Sequence, residues 1–274
     1  MLFKSLRYAR VFFIRVNSTM KILIALFSAL LSTQAEAASG FTWLSHVAHA
    51  VHLPEHVVTF VVIGVMLVLA GLLYRSKLSA AQNVVFPDRG ITYRNIVELY
   101  GNFIYGQCKQ IIGEDGAKKY FGFIATTFIV ILVSNLIGLI PGFLPPTEHL
   151  STTLALGAFS FLYYNLKGCK EQGTWNYLKH FAGPLWYLAF LIFPIEIVSN
   201  FVRPLSLALR LKNNMMGDHL VLSEFSKLAP AIIPIIFMIL GILVSFIQAY
   251  VFTVLSMVYI SLATSHHDHD EDHH

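Results

Sequence analysis

Residues 194–219, PIEIVSNFVRPLSLALRLKNNMMGDH, are mostly apolar yet carry Glu196, Arg203, Arg210, Lys212, Asp218 and His219. Ionisable groups at membrane depth are expensive, so they mark an ion path or a buried pair. At 3.6 residues per turn, Glu196, Asn200, Arg203, Arg210, Asn214 and Asp218 fall near one stripe, with Leu205, Leu209 and Leu211 mainly off it. From Glu196 to Asp218 the stripe runs for roughly 33 Å, about one bilayer core. A polar line of that length in a lipid-soluble helix calls for a polar partner. The plainer alternative is a structural salt bridge between neighbouring transmembrane helices, although such a pair seldom needs polar groups at so many depths.

The elements that hold this stripe belong to an integral membrane protein. The chain is 56% hydrophobic and 12% charged, whereas a soluble domain is about a quarter charged. Its net charge of +4 is small, and outside the stripe the Lys and Arg residues sit mainly in loops, which points to membrane orientation rather than nucleic-acid binding. Cys108 and Cys169 have neither metal-ligand spacing nor a disulfide framework. No nucleotide-binding loop, H-E-x-x-H or serine elbow is present.

In chain order, residues 1–37 read as an extension and signal peptide. KILIALFSALLSTQAEA follows Met20 with a cleavage site after Ala37, leaving the mature amino terminus outside. An uncleaved first anchor and a start at Met20 are the alternatives. Residues 38–265 form one membrane domain. Residues 57–74 are the first span, followed by Arg75 and Lys77, which places the helix running inward. Residues 91–112 have the spacing of an amphipathic helix on the cytoplasmic surface, with a solvent-facing linker as the alternative. Residues 121–143 and 150–166 make a helical hairpin around Pro141, Gly142, Pro145 and Pro146. Asn135 is placed to hydrogen-bond between helices, and Gly138 with Gly142 matches a small-xxx-small pattern.

Residues 181–222 and 228–263 are too long for ordinary spans, about 63 Å and 54 Å against a core of about 30 Å. Either they bend at Pro194, Pro204, Pro230 and Pro234, or they lie oblique. The oblique hairpin is favoured, turning at 223–227 on the outside. The fold expected is therefore all-α, with about five membrane helices, an amphipathic surface helix, and a long tilted hairpin at the end. Residues 266–274 read as a disordered cytoplasmic tail, with adventitious metal binding as the alternative.

RPLSLALRLKNNMMGDH, followed by SFIQAYVFTVLSMVYISLA, resembles subunit a of the F-type ATP synthase, as do GPLWYLAFLIFPIEIVSN, KKYFGFIATTFIVILVSNLIGLIPGF and LPPTEHLSTTLALGAF upstream. The likeness runs from about residue 55 to 263. It implies a proton-conducting stator in a bacterial inner membrane, beside a rotating ring of c subunits and b-type peripheral stalk subunits, with no cofactor and no metal. By the family pattern Arg210 is the essential arginine facing the ring carboxylates. Asn214 lines the path, Gln248 is the glutamine of the final helix opposite the arginine, Glu196 marks the cytoplasmic outlet, and His219 marks the outer inlet. Arg203 and Ser206 match polar positions of less defined role.

Two positions depart from the pattern. Members commonly read RLFGN where this chain has RLKNN, adding Lys212 within a turn of Arg210. Members also pair the inlet acid or histidine with a partner on the last helix, and the matching position here is Gly241, with Ser245 one turn nearer Gln248. Asp218 or Glu224 is expected to substitute. His219 favours protons over sodium. A self-contained secondary transporter would show an internal repeat with paired broken helices, and none is visible. A metal-dependent membrane enzyme would need a ligand set at defined spacing, which the tail does not supply. A passive scaffold is a further alternative.

Overall fold

In the computed structural model, which describes residues 42–80, 92–140, 142–173, 189–228 and 233–264, all regular structure is helical. A backbone in hydrocarbon must satisfy its own hydrogen bonds, and helices do so within one segment. A short helix α1 (Ser45–Val51) leads into α2 (Glu55–Ala80), then α3 (Tyr93–Ile112) and α4 (Glu114–Leu136), which tightens into a 3₁₀ turn at Ile137–Leu139. A second 3₁₀ turn at Pro146–Glu148 leads into α5 (Leu150–Gln172), and the chain closes with α6 (Ala189–Leu228) and α7 (Ile233–Thr264). The stretches 1–37 and 266–274 lie outside the described residues.

Among the described residues, four segments are long and apolar enough to cross a bilayer: Glu55–Ser76, Glu114–Leu139, Ile192–Phe225 and Ile235–Thr264. Helix α5 is a fifth long helix, less apolar because Thr152, Thr153, Ser160 and Tyr164 fill its buried side. The architecture is thus an all-α integral membrane protein. Helix α6 runs through Pro194 and Pro204 for 40 residues, about 60 Å. Pro204 has no N–H for the carbonyl of Asn200, and the Tyr164 hydroxyl lies 3.5 Å from that carbonyl while donating to Asn200 Oδ1 at 2.8 Å.

The expected turn at 223–227 is corrected. Helix α6 runs on through Leu228, Ser223 Oγ bonds back to the Leu220 carbonyl at 2.9 Å, and Phe225 packs on Phe237 of α7. The small-xxx-small pattern also has a different use: Gly138 lies tight against Pro145, inside the loop rather than between helices.

The core lies between α4, α6 and α7, with Phe128, Ile131, Leu211, Ala249 and Phe252 buried, and α3 closes it through Ile104 and Cys108. Helix α3 turns Ile96 and Leu99 outward, so one side packs on the protein and the other is free. The hairpin of α4 and α5 is antiparallel, Phe123 stacking on Tyr163 at 3.8 Å. Asn135 makes the interhelical bond expected of it, donating to the Ser245 carbonyl at 3.3 Å and accepting from Thr147 at 2.8 Å. Helix α5 reaches α7 through Ser160 and Ser256, whose hydroxyls are 3.0 Å apart.

Gly157 sets how close α5 comes to α6. A Cβ there would sit 2.8 Å from the Pro204 carbonyl oxygen, a backbone atom that cannot turn aside. Gly157→Val should therefore destabilise the protein by about 1–3 kcal/mol, as overpacking does. The check is thermal unfolding of the purified protein, with Gly122→Ala as control, since nothing lies within 4 Å of a Cβ at Gly122.

Candidate functional site

The ionisable stripe of α6 divides into three environments. Toward its start, Arg203 Nη2 lies 3.4 Å from Glu196 Oε1, two turns apart, and the guanidinium sits over the Tyr259 ring at 5.4 Å from its centroid. Asn200 is buried between them and donates to Asn165 Oδ1 at 3.1 Å while accepting from Tyr164. Glu196 is therefore a paired carboxylate at the edge of a polar network that reaches α5 and α7. Tyr164, Asn165 and Tyr259 were not anticipated from sequence, because their contribution depends on tertiary contact rather than on the period of α6.

Arg210, in the middle, is different. It is exposed, among exposed Leu205, Ser206, Leu209 and Asn213, while Leu207, Ala208 and Leu211 beside it are buried against the bundle. No acceptor among the described residues pairs with it. Asn214 and Lys212 are half-buried at the margin of the packed face. On α7, Gln248 is half-buried beside fully buried Ala249. Asp218 meeting Gly241 and Phe225 meeting Phe237 set an antiparallel register that brings Arg210 level with the turn of α7 around Gln248.

The third environment lies at the end of the bundle that carries the 137–149 loop. His219 Nδ1 is 3.5 Å from Glu148 Oε2, an oxygen that is buried and has no hydrogen bond. Asp218 occupies the space that a side chain at position 241 would take: a Cβ on Gly241 would lie 2.7 Å from Asp218 Oδ2. Glycine at 241 thus lets the carboxylate come from α6 instead of α7. One turn along α7, Ser245 Oγ is buried with no hydrogen bond, as is Ser134 Oγ on α4. Glu224 is exposed farther along α6. Of the two expected substitutes at this point, Asp218 is in place against Gly241 and Glu224 is not. Glu148 was missed in the sequence reading. Its signal was an acid–histidine pair, TEH, directly after two prolines in the outer loop.

A bundle of long apolar helices, with titratable groups strung along one of them and a bare cation at its middle, defines a membrane-embedded ion conductor. The sequence matches the family described as ATP synthase A chain over residues 56–261. It is 46% identical to ATP synthase subunit a of Bdellovibrio bacteriovorus over 84% of this chain and 100% of that relative. It is 50% identical to ATP synthase subunit a of Geobacter sulfurreducens over 63% of this chain and 76% of that one. With ATP synthase subunit a of Sorangium cellulosum the identity is 38% over 84% of this chain and 90% of the relative. The chain belongs to the ATP synthase A chain family, the proton-translocating stator subunits of the F-type ATP synthase.

Proposed function

We propose that this chain provides two offset half-channels and that Arg210 stands between them, facing the carboxylates of a c-subunit ring. The observation that carries this is the contrast along α6: Glu196 with Arg203 and His219 with Glu148 are paired, whereas Arg210 is exposed on an apolar surface with no counter-ion among the described residues. A bare cation at the middle of a membrane helix costs about 2.5–3.5 kcal/mol on insertion scales. A partner carrying negative charge offsets that cost.

A ring carboxylate crosses lipid only in its neutral form, so it must lose a proton beside the stator and regain one before moving on. Opposite charge at short range favours the ionised carboxylate and lowers its pKa as it passes. A guanidinium stays protonated when poorly hydrated, which an ammonium does not reliably do. The same fixed cation repels a proton taking the direct route between the two half-channels. A permanent tight ion pair would stall the ring, and Gln248 and Asn214 at the same level supply neutral polar groups to share the contact.

The inlet in this reading runs from Glu148 and His219 to Asp218 over Gly241, then along Ser245 and Asn135 toward Gln248. The outlet runs past Asn200 to Glu196, whose carboxylate lies 3.4 Å from Arg203. The amino terminus lies outside and the carboxyl terminus in the cytoplasm, with α3 on the cytoplasmic surface and b-type stalk subunits alongside. ATP chemistry belongs to partner subunits. The reading is tested by cysteine cross-linking in the assembled complex. Ser206→Cys and Asn213→Cys, both exposed on the Arg210 side, should cross-link to the carboxylate-bearing helix of the c subunit. Leu211→Cys, buried in the bundle, should not. Cross-links from Leu211 alone would place the ring elsewhere.

A further inference from the structure

Beyond the seam of α6, two imidazoles meet at the loop end of the bundle. His56, in the first turn of α2, stacks on His149 with ring centroids 4.1 Å apart and an interplanar angle of 21°, and His56 Nε2 lies 3.1 Å from Ser151 Oγ. His149 is exposed, and the next residue back is Glu148, whose buried Oε2 points to His219. A pair of titratable rings, His149 exposed and His56 half-buried, is thus one residue from a carboxylate whose buried oxygen leads inward. We propose that the His56–His149 pair is the outermost proton-collecting station of the inlet, passing protons through Glu148 to His219. This rests on the inlet reading given above.

Two imidazolium rings in stacking contact repel, so the pair binds one proton readily and a second poorly. An imidazole that takes up a proton from water also gives it up readily, so neither ring is a deep trap. The step moves only a proton: a ring nitrogen accepts it from hydronium or buffer, the Glu148 carboxylate accepts it next, and the ring returns to neutral. The need is one of supply. At a diffusional rate constant of roughly 10¹⁰ M⁻¹ s⁻¹ and about 10⁻⁷ M free protons, a single buried acceptor is reached only about a thousand times per second, and ten times less often for each pH unit above that.

The other charged groups around the pair are few. Helix α2 carries Glu55, which accepts from Thr42 Oγ1 at 3.0 Å, with His52 just before it. Helix α6 presents Asp218 and His219, and the loop presents Glu148. Helices α4 and α5 offer hydroxyls and an amide at this end, Ser134, Asn135, Ser151 and Thr153, their charged residues lying at the opposite end. The only described cations near the pair are therefore histidines, so its charge is set by pH.

The test is proton flow through the whole complex in proteoliposomes, driven from the inlet side at pH 6 to 8.5. The variants are His56→Gln, His149→Gln and the double, each checked for assembly by co-purification of the ring. At inlet pH 8 each single variant should be about 3- to 10-fold slower than the parent and the double no slower than the singles. At pH 6 all should match, and imidazole buffer on the inlet side alone should restore the rate at pH 8. Parental rates at every pH, or a loss equal at pH 6 and 8 and indifferent to imidazole, would overturn the proposal and leave the pair a packing contact. Arg210→Lys measured in parallel separates the two levels: free coupled pumping through it would sink the underlying reading, while failure of the histidine variants with Arg210→Lys still blocked would sink only this one.

Discussion

Arg210→Lys should reduce ATP-driven proton pumping to below about a hundredth of the parental rate in a complex that still assembles. An opposite charge at short range lowers a carboxylate pKa by about 1–3 units, so losing it removes roughly 10- to 1,000-fold of the ionised form on each passage. Lysine keeps the formal charge but not the function, because a desolvated ammonium gives up its proton where a guanidinium does not, and a single flexible point replaces a planar fork. Assembly should survive because Arg210 is exposed and bonds to nothing within the described chain, while Leu207, Ala208 and Leu211 hold α6 in place. The measurement is quenching of a pH-sensitive dye in inverted vesicles, with ring co-purification as the assembly control. Normal quenching would remove Arg210 from the mechanism.

His219→Ala should slow proton uptake from the outer side by about 100-fold, the lower end of what a positioned proton-transfer group contributes, and should change its dependence on inlet pH. Glu148→Gln should do much the same, because the 3.5 Å contact makes the two one acceptor. The double variant should be little worse than either single, since groups that act as a unit are not additive. Rates of ATP synthesis against inlet pH give both the magnitude and the profile. A profile unchanged by His219→Ala would put the inlet elsewhere, and additive losses would uncouple Glu148 from it.

The length of α6 and α7, the stripe on α6 and the bond made by Asn135 were all legible in the sequence. Each follows from a periodic pattern or from a lone polar residue in an apolar run. Glu196 was visible on the stripe, but its pairing with Arg203 was not singled out, because two turns of helix leave many rotamers open. Glu148 was hidden for a different reason. It sits in an aperiodic loop, and only the packing of that loop beneath α6 brings it to His219. The turn after α6 was misplaced because Ser223 and Glu224 look like a loop by composition, whereas the hydroxyl of Ser223 bonds within the helix. Gly241 was visible only as a missing partner. Its use emerges from the carboxylate of Asp218 lying where a side chain would be.

The most direct measurement is a density map of the assembled complex at side-chain resolution. The guanidinium of Arg210 should point across the exposed face of α6 toward a ring helix, about 4–6 Å from its carboxylate, the range in which the charge can act. Gln248 or Asn214 should lie at the same level. A guanidinium directed into lipid, or turned back onto its own helix with no ring subunit opposite, would contradict the account.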